Sequence, residues 1–329
     1  MKTRIIDSSG SSITEIGFGC AGAGNLFRAV PFENIYSAVR QANELGIQYF
    51  DTAPHYGAGL SERRLGLALS ELSSSDIFLS SKVGRLLRPD SSVSQKEADG
   101  FVMAGPFDRE YDYTYDGVMR SFEDSLQRLG VSRINMLLMH DIGKLTHKNE
   151  HSAYLQQAIN GGFKAMMELR EQGLVNNIGL GVNEWEICDE ALNYAQFDCF
   201  MVANCFTLLN NDITDTFTDK CRDKQISLIA AAPFNSGILA KGSSGLGHYF
   251  YGQAPTAIVN KVIAIEAVCE RFNVSLQAAA IQYALRYECV KSVLIGMTSA
   301  DRVVQNINWY QEIIPKEFWG DLNEIIYKK

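Results

Sequence analysis

Four side chains of this sequence are of types that could move a proton to or from a substrate oxygen. Asp51 and Lys82 each end a short apolar segment, Tyr56 lies in the connection after Asp51, and His140 ends a third segment. A tyrosine, whose ordinary pKa is about 10, is a poor proton carrier near neutral pH. A lysine held charged by an aspartate would lower that pKa by favouring the phenolate. A neutral histidine would orient and polarise the oxygen, so the set predicts hydride transfer at a carbonyl carbon coupled to proton transfer at its oxygen.

Each of these residues also has a purely structural explanation. Asp51 and Lys82 could form a buried ion pair, Tyr56 could be an aromatic residue of a loop, and His140 could be a hydrogen-bonded histidine of the core. A buried ion pair, however, is a weak stabilising device. The occurrence of all four at the ends of consecutive segments therefore favours a catalytic role.

The segments that carry these residues are short, apolar and bounded by turn residues, which is the pattern of parallel strands buried on both faces. The predicted strands are Ile13 to Cys20, Ile47 to Asp51, Ile77 to Lys82, Met136 to His140, Ile178 to Val182, Phe200 to Cys205, Leu228 to Ala232 and Val293 to Gly296. Amphipathic helical patterns alternate with them, for example at 35–45 and at 118–129, where Thr114 is a candidate N-cap.

Eight alternating units predict an α/β fold, a (β/α)8 TIM barrel formed by one domain over residues 1–329. Two segments interrupt the repeat, residues 84–112 and residues 240–256, and both are predicted as long loops after strands. In such a barrel the carboxyl ends of the strands and the loops that follow them form the active-site face. The four candidate residues would therefore meet there.

Two further motifs suggest other redox folds, and neither has the right context. Gly17, Gly19 and Gly22 satisfy GxGxxG, but the following NLFRAVP opens no helix, as a Rossmann dinucleotide site requires. Tyr287 and Lys291 have the YxxxK spacing of short-chain dehydrogenases, yet they lie at a helix end that leads into the last strand. We interpret both as coincidental.

Composition narrows the class of ligand. The net charge of -8 and the pI of about 5.3 argue against a nucleic-acid partner and favour a small-molecule substrate. The seven cysteines lack the CxxC spacing of a zinc or redox site, so no metal is predicted. No apolar leader and no membrane-length apolar stretch is present, which together with the cysteines predicts a cytoplasmic protein without a membrane partner.

Several longer stretches resemble those of the aldo-keto reductase family, namely DTAPHYGAGLSERRLGLAL, KVGRLLRP, YDGVMRSFEDSLQRLG, GVNEWEIC and APFNSGIL. The resemblance covers nearly the whole chain and is strongest to the branch of aldose and pyridoxal dehydrogenases. It implies a barrel that binds NAD(H) or NADP(H) in an extended form without a Rossmann domain. It also implies that the four residues above are the catalytic tetrad of the family.

The resemblance further implies a set of cofactor-binding residues. The nicotinamide carboxamide would be bound by Asn183, the pyrophosphate by Phe234, Asn235, Ser236 and Gly237, and the adenosine by Gly296, Thr298, Arg302, Gln305 and Asn306. The sequence departs from the family pattern at Glu184, Ala203 and Ala231, so other residues are expected to complete the binding of the nicotinamide. NAD is the expected cofactor, with NADP tolerated through Arg302, because Gly296 and Met297 replace the lysine and serine of the NADP-preferring pattern.

The function implied is NAD(P)-dependent oxidation of an aldose, L-fucose or another sugar of the D-threo type, at C1 to its lactone. Alternatives are a general aldehyde or ketone reductase, a pyridoxal 4-dehydrogenase and, from another class, a regulatory subunit that senses the cofactor. Discrimination among sugars requires hydrogen bonds to hydroxyl groups. The two long loops offer candidates for these bonds in Arg85, Arg88, Asp108, His248, Tyr249 and Tyr251.

Overall fold

The computed structural model describes residues 1–7, 10–72, 76–92, 100–214, 216–245, 247–250 and 252–327. Within these residues the strands are β1 (Thr3–Ile5), β2 (Ser12–Thr14), β3 (Ile16–Gly19), β4 (Tyr49–Asp51), β5 (Phe78–Val83), β6 (Arg85–Pro89), β7 (Phe107–Tyr111), β8 (Met136–His140), β9 (Asn177–Val182), β10 (Cys199–Ala203), β11 (Ser227–Ala231), β12 (His248–Tyr249), β13 (Gly252–Gln253) and β14 (Val290–Gly296).

Eight of these strands close a parallel barrel in the order β3, β4, β5, β8, β9, β10, β11, β14 and back to β3. All eight neighbouring pairs are parallel, so every carboxyl end lies on the same face. The (β/α)8 prediction is confirmed. The predicted first strand is interrupted, because Ile13 belongs to β2, which pairs with β1 in an antiparallel hairpin, and the barrel strand begins at Ile16.

The barrel interior explains why the strands are apolar on both faces. Side chains such as Tyr49, Leu138 and Met201 point inward and form one buried cluster, whereas Phe50 and Leu137 point outward into the larger cluster under the helices. Alternate residues of one strand therefore enter two different cores. The sequence of such a strand is therefore continuously apolar instead of alternating between apolar and polar residues.

The helices pack around this barrel. They are α1 (Phe32–Glu44), α2 (Leu60–Ser70), α3 (Tyr115–Leu129), α4 (Lys144–His147), α5 (His151–Gln157), α6 (Phe163–Glu171), α7 (Glu186–Ala191), α8 (Phe217–Asp223), α9 (Ile238–Lys241), α10 (Thr256–Phe272), α11 (Leu276–Leu285), α12 (Ala300–Gln311) and α13 (Lys316–Ile326). Thr114 caps α3 as predicted, since its hydroxyl accepts a hydrogen bond from the Gly117 N–H at 3.1 Å. Among the described residues, none of these helices combines the length and the apolarity that crossing a membrane would need.

The segment 84–112, predicted as a long loop after a strand, contains two strands of its own. Strands β6 and β7 form an antiparallel hairpin in which Arg85 pairs with Tyr111 and Pro89 with Phe107. In the connection between them, Phe101 forms an isolated antiparallel β-bridge with Leu26, and both residues line the cavity at the barrel mouth. We call residues 100–104 with Leu26 the roof. The second predicted loop contains the short hairpin of β12 and β13, and Tyr251 lies outside the described residues.

The glycine motif near the N-terminus forms no Rossmann turn. Gly17 and Gly19 lie within β3, and Gly22 lies in a 3-10 turn over Ala21–Gly24. The alternative YxxxK pair is also remote from catalysis, because the Tyr287 hydroxyl is bonded to that of Tyr327 and the Lys291 ammonium to the Glu288 carbonyl.

Candidate active site

The buried ion pair of Asp51 and Lys82 forms the floor of the site. The Lys82 ammonium donates to both carboxylate oxygens, at 2.9 and 2.7 Å, and to the Thr52 carbonyl at 3.0 Å. Ser80 donates a further hydrogen bond to Asp51 at 2.6 Å. Gly181 gives the lysine its room, because a Cβ there would lie 3.2 Å from the Lys82 Cε. The Lys82 ammonium thus has three oxygen acceptors within 3.0 Å, in addition to its hydrogen bond with Tyr56.

The electrostatics of this floor keep the lysine charged. Burial alone would lower the pKa of Lys82, but the Asp51 carboxylate and the hydrogen-bonded Tyr56 outweigh it and hold that pKa above its ordinary value. Burial raises the pKa of Asp51, against the opposing effects of Lys82 and Ser80. We assign the pair as ionised, because both carboxylate oxygens accept bonds from one ammonium.

Tyr56 stands directly above the charged lysine. The Lys82 ammonium lies 4.8 Å from the centre of the tyrosine ring. The turn that carries Tyr56 requires two glycines, because a Cβ on Gly57 would lie 2.4 Å from the Gly24 carbonyl oxygen and one on Gly24 would lie 2.6 Å from the Tyr56 carbonyl carbon. The backbone on either side of the tyrosine is therefore fixed by contacts that leave no room for a side chain.

His140 faces Tyr56 across the site. The two rings are 5.9 Å apart and almost perpendicular. Burial first, and then the charges of Arg85 and Lys82, hold the pKa of His140 well below its ordinary value, so the imidazole is neutral. In the part of the chain that the structure describes, its Nδ1 is buried without a hydrogen-bond partner. A neutral imidazole with an unused nitrogen is suited to bind a substrate oxygen.

A network around Asp141 joins His140 to the neighbouring strand. The Arg85 guanidinium donates to one Asp141 oxygen at 2.5 Å, and the Asn183 amide donates to the other at 3.2 Å. The first of these oxygens is also 3.5 Å from the His140 Nε2. Asp141 adopts a left-handed backbone with φ of 48°, a conformation that costs free energy in a residue other than glycine and recurs at functional sites.

These side chains surround one cavity of about 260 Å³ at the carboxyl ends of the strands. Tyr56, Lys82 and His140 line one side of it, and Leu26 and Phe101 of the roof cover it. The Phe101 ring stacks on Tyr56 with the centroids 6.0 Å apart. The structure thus brings the four residues predicted from sequence to one place, under an apolar cover.

The cavity also contains a histidine that was not predicted as a site residue. His55 precedes Tyr56 in sequence, and its ring lies edge-on to His140 at 5.7 Å. The sequence carried one signal for it, since a histidine in the connection after a strand that ends in Asp51 lies on the active-site face. The contribution of its ring became visible only in three dimensions.

Asn183 lies at the carboxyl end of β9 and lines the same cavity. Its amide oxygen accepts a hydrogen bond from the Asn204 amide at 3.2 Å, and the Asn204 amide oxygen is buried with no partner among the described residues. Asn204 follows Ala203, one of the three positions at which the sequence departs from the family pattern. Two linked amides beside the tetrad fit a nicotinamide carboxamide, which both donates and accepts hydrogen bonds.

The turn from β11 to α9 contains the residues predicted to bind the pyrophosphate. Asn235, Ser236 and Gly237 follow one another in left-handed conformations with φ of 46°, 61° and 115°. A Cβ at Gly237 would meet nothing within 4 Å, and the Asn235 amide oxygen is buried without a partner among the described residues. Phe234 packs on Trp309 at 6.1 Å. The Asn235 and Gly237 N–H groups donate within the turn, to the Ala232 and Phe234 carbonyls at 3.0 and 2.9 Å. The open space at Gly237 is therefore the feature that would receive a pyrophosphate.

The segment predicted to hold adenosine begins at Gly296 and enters α12. Ser299 caps that helix by accepting from the Arg302 N–H at 3.4 Å, and the exposed Arg302 guanidinium donates to Gln305 at 2.6 Å. Asn306 is buried, and its amide oxygen has no partner in the described chain. Arg28, which the sequence argument overlooked, donates to Thr298 at 3.3 Å. Two cations, rather than Arg302 alone, therefore flank the adenosine segment.

The residues proposed for sugar hydroxyls lie elsewhere. The wall of the cavity includes none of the five that the structure describes. Arg85 binds Asp141, Arg88 is paired with Glu110 on the exposed hairpin, and Asp108 is exposed. His248 stacks on Phe27 at 6.1 Å, and the Tyr249 hydroxyl donates to Asn210 at 2.6 Å.

A (β/α)8 barrel with a charged lysine below a tyrosine and a neutral histidine opposite defines an oxidoreductase that acts at a carbonyl or carbinol carbon. The chain belongs to the aldo/keto reductase family, whose model matches residues 15–327. It is therefore an NAD(P)-dependent oxidoreductase.

Two relatives of known activity resemble the chain over almost its full length. A pyridoxal 4-dehydrogenase of Microbacterium luteolum is 37% identical, with 98% of this chain and 96% of the relative covered. A D-threo-aldose 1-dehydrogenase of a Pseudomonas species is 35% identical, with 96% and 95% covered. Among solved structures, the holo form of an aldo-keto reductase of Bacillus halodurans superposes with a TM-score of 0.77 at 21% identity, with 99% of this chain and 96% of that chain covered. That likeness supports the fold.

Proposed function

We propose that this enzyme oxidises the cyclic hemiacetal of an aldose at C1 to the lactone, with NAD as hydride acceptor. The observation that carries the proposal is the arrangement of Tyr56 over the Lys82–Asp51 pair and opposite the neutral His140, around one cavity. This arrangement provides a proton acceptor and an oxygen-binding group for a single reacting oxygen.

In the proposed reaction the anomeric O–H bond breaks and its proton passes to the Tyr56 phenolate, which the charged Lys82 stabilises. The electron pair of that bond forms the C1=O double bond as hydride leaves C1. Neutral His140 binds the same oxygen throughout and fixes its direction. The ring stays closed, so the product is a lactone.

The nicotinamide, when bound, supplies the carbon that accepts the hydride. The residues that fit it are Asn183 and Asn204 at the carboxamide, the turn 235–237 at the pyrophosphate and the start of α12 at the adenosine. NAD is the preferred cofactor, because Gly296 provides no side chain for a 2′-phosphate. Arg28 and Arg302 give NADP a weaker alternative.

The choice of an aldose rests on the similarity to the D-threo-aldose 1-dehydrogenase of Pseudomonas, which extends over 96% of this chain. Pyridoxal is the second candidate, and one structural observation favours it. Its hemiacetal is a flat aromatic ring system, and the roof residue Phe101, which stacks on Tyr56, offers it an aromatic face. Both substrates are cyclic hemiacetals, so the same proton and hydride steps apply.

The test supplies NAD or NADP with a panel of aldoses, pyridoxal and simple aldehydes, and identifies the first product by NMR before hydrolysis. We expect L-fucose or D-arabinose to yield a lactone at the rate of NADH formation. Oxidation of pyridoxal with no oxidation of any sugar would select the second candidate. Fast reduction of open-chain aldehydes with no oxidation of either would show a general reductase, and cofactor binding without turnover would show a sensor.

A further inference from the structure

The cavity contains one more polar group than the reaction at a single oxygen uses. Tyr56 and His140 are sufficient to bind that oxygen. His55 lines the same cavity, and its Nδ1 is buried without a hydrogen-bond partner in the described chain. A buried polar atom that lacks a partner costs free energy and is uncommon in native proteins, so this nitrogen requires an explanation.

The position of the His55 ring is fixed by its neighbours. It lies edge-on between Phe101, at 5.2 Å, and His140, at 5.7 Å. Its carbonyl accepts hydrogen bonds from the Arg109 guanidinium at 3.2 Å and from the Ala58 N–H at 3.2 Å, which hold the backbone. The imidazole is therefore held rigidly rather than free to seek a partner elsewhere.

The charge state of His55 suits a neutral ligand group. Burial, and then the nearby charges of Arg85, Arg109 and Lys82, hold its pKa well below the ordinary value. A neutral imidazole both donates and accepts hydrogen bonds, as a hydroxyl group does. A hydroxyl therefore matches it better than a carboxylate or phosphate, which could not use its accepting nitrogen.

We propose that His55 is a specificity-determining residue, whose imidazole binds the hydroxyl on the carbon next to the reacting carbon. The three rings of His55, Tyr56 and His140 stand 5.7 to 6.2 Å from one another. An oxygen held by Tyr56 and His140 therefore places its neighbouring carbon within reach of His55. This inference rests on the proposed function only in that Tyr56 and His140 bind the reacting oxygen.

The test uses two aldehydes that differ only in this hydroxyl, lactaldehyde and propanal, reduced with NADH. We expect the wild type to favour lactaldehyde in kcat/KM by roughly tenfold to a hundredfold, the effect of leaving a buried polar group unpaired. In His55→Phe and His55→Leu the ratio should fall to near one. His55→Asn, which places a polar atom close to the Nδ1 position, should retain most of the preference.

The two aldehydes are hydrated to different extents in water, but each extent is the same for every protein. The change in the kcat/KM ratio between wild type and variant therefore does not depend on hydration. Met201→Leu, in the part of the cavity wall formed by barrel strand β10, is the matched control and should leave the ratio unchanged. The same comparison is made in the oxidative direction with D-arabinose and 2-deoxy-D-ribose, which is D-arabinose without its C2 hydroxyl. If neither sugar is oxidised but the aldehyde ratio collapses in the apolar variants, the proposed function fails and the role of His55 stands. An equal ratio in wild type and both apolar variants would overturn the role of His55.

Discussion

The Arg85 guanidinium and the Asp141 carboxylate form a buried ion pair at 2.5 Å immediately beside His140. Arg85 begins the hairpin of β6 and β7, whereas Asp141 follows barrel strand β8. The pair thus joins an inserted segment to the residue next to a candidate catalytic histidine. Because the other Asp141 oxygen accepts from Asn183, the same carboxylate also orients a side chain that we propose binds the cofactor.

Replacement of Asp141 by Asn should test this link. The amide keeps the shape of Asp141 but removes the charge that pairs with Arg85, so His140 and Asn183 are less well oriented. We expect kcat to fall by roughly tenfold to a hundredfold, the range for loss of a supporting interaction. The KM for NAD should rise as well, which purely local damage at His140 would not produce. The test measures kcat and the KM values for NAD and for the substrate. Arg88→Gln, on the exposed part of the hairpin, is the control and should change none of them.

The proton-transfer role of Tyr56 predicts a selective loss. Tyr56→Phe keeps the ring on Phe101 but lacks the hydroxyl, so kcat should fall by roughly a hundredfold or more. The dissociation constant of NADH, followed by fluorescence, should change little. Weakened cofactor binding with a normal kcat would refute the role.

Lys82 should matter to stability as well as to activity. Lys82→Met leaves the Asp51 carboxylate buried and unpaired, and loss of one partner of such a pair costs roughly 3 to 5 kcal/mol of unfolding free energy. The double variant Asp51→Asn with Lys82→Met should regain most of this stability but no activity. Urea denaturation of the single and double variants, beside rate measurements, separates the two effects. A double variant as unstable as the single one would contradict the explanation.

The buried histidines predict loss of stability in acid. Burial, followed by the charge of Arg85, lowers the pKa of His147 to about 4. The unfolded chain, with histidine pKa values of about 6.5, therefore binds more protons between these values. The contribution of His147 is present above about pH 6.5 and is lost as the pH falls towards 4. His147→Gln should reduce the number of protons taken up on unfolding by about one, measured from denaturation midpoints across this range. An unchanged dependence of stability on pH would contradict this explanation.

The cations beside the adenosine segment predict cofactor selectivity. We expect kcat/KM to favour NAD over NADP, and a tenfold preference for NADP would end this claim. Arg302→Ala and Arg28→Ala should each weaken NADP binding by roughly tenfold or more, the loss expected for a charge-assisted hydrogen bond, with little effect on NAD. Equal effects on both cofactors would place these arginines away from the 2′-phosphate.

The barrel strands could be predicted because the residues of a single segment are enough to identify each one. The runs that end in Asp51, Lys82 and His140 are buried on both faces, and a parallel barrel brings their ends together whatever the loops do. Prediction failed where two distant segments have to meet. The composition of 84–112 concealed the β6–β7 hairpin, whose pairing is set by a cross-strand partner. Nothing in the sequence linked Arg28 to Thr298, a contact that exists only after the barrel has closed.

The roof residue Phe101 and Arg85, which anchors the hairpin, lie at different parts of the segment 84–112. Phe101 lies in the connection between β6 and β7, whereas Arg85, at the base of the hairpin, is held by Asp141. Exchange of the outer segment for one from a relative would thus alter what lies above Tyr56 without releasing the anchored base. Protein engineers could therefore replace the segment that carries Phe101 to change substrate preference. Tyr56, Lys82 and His140 would keep their positions.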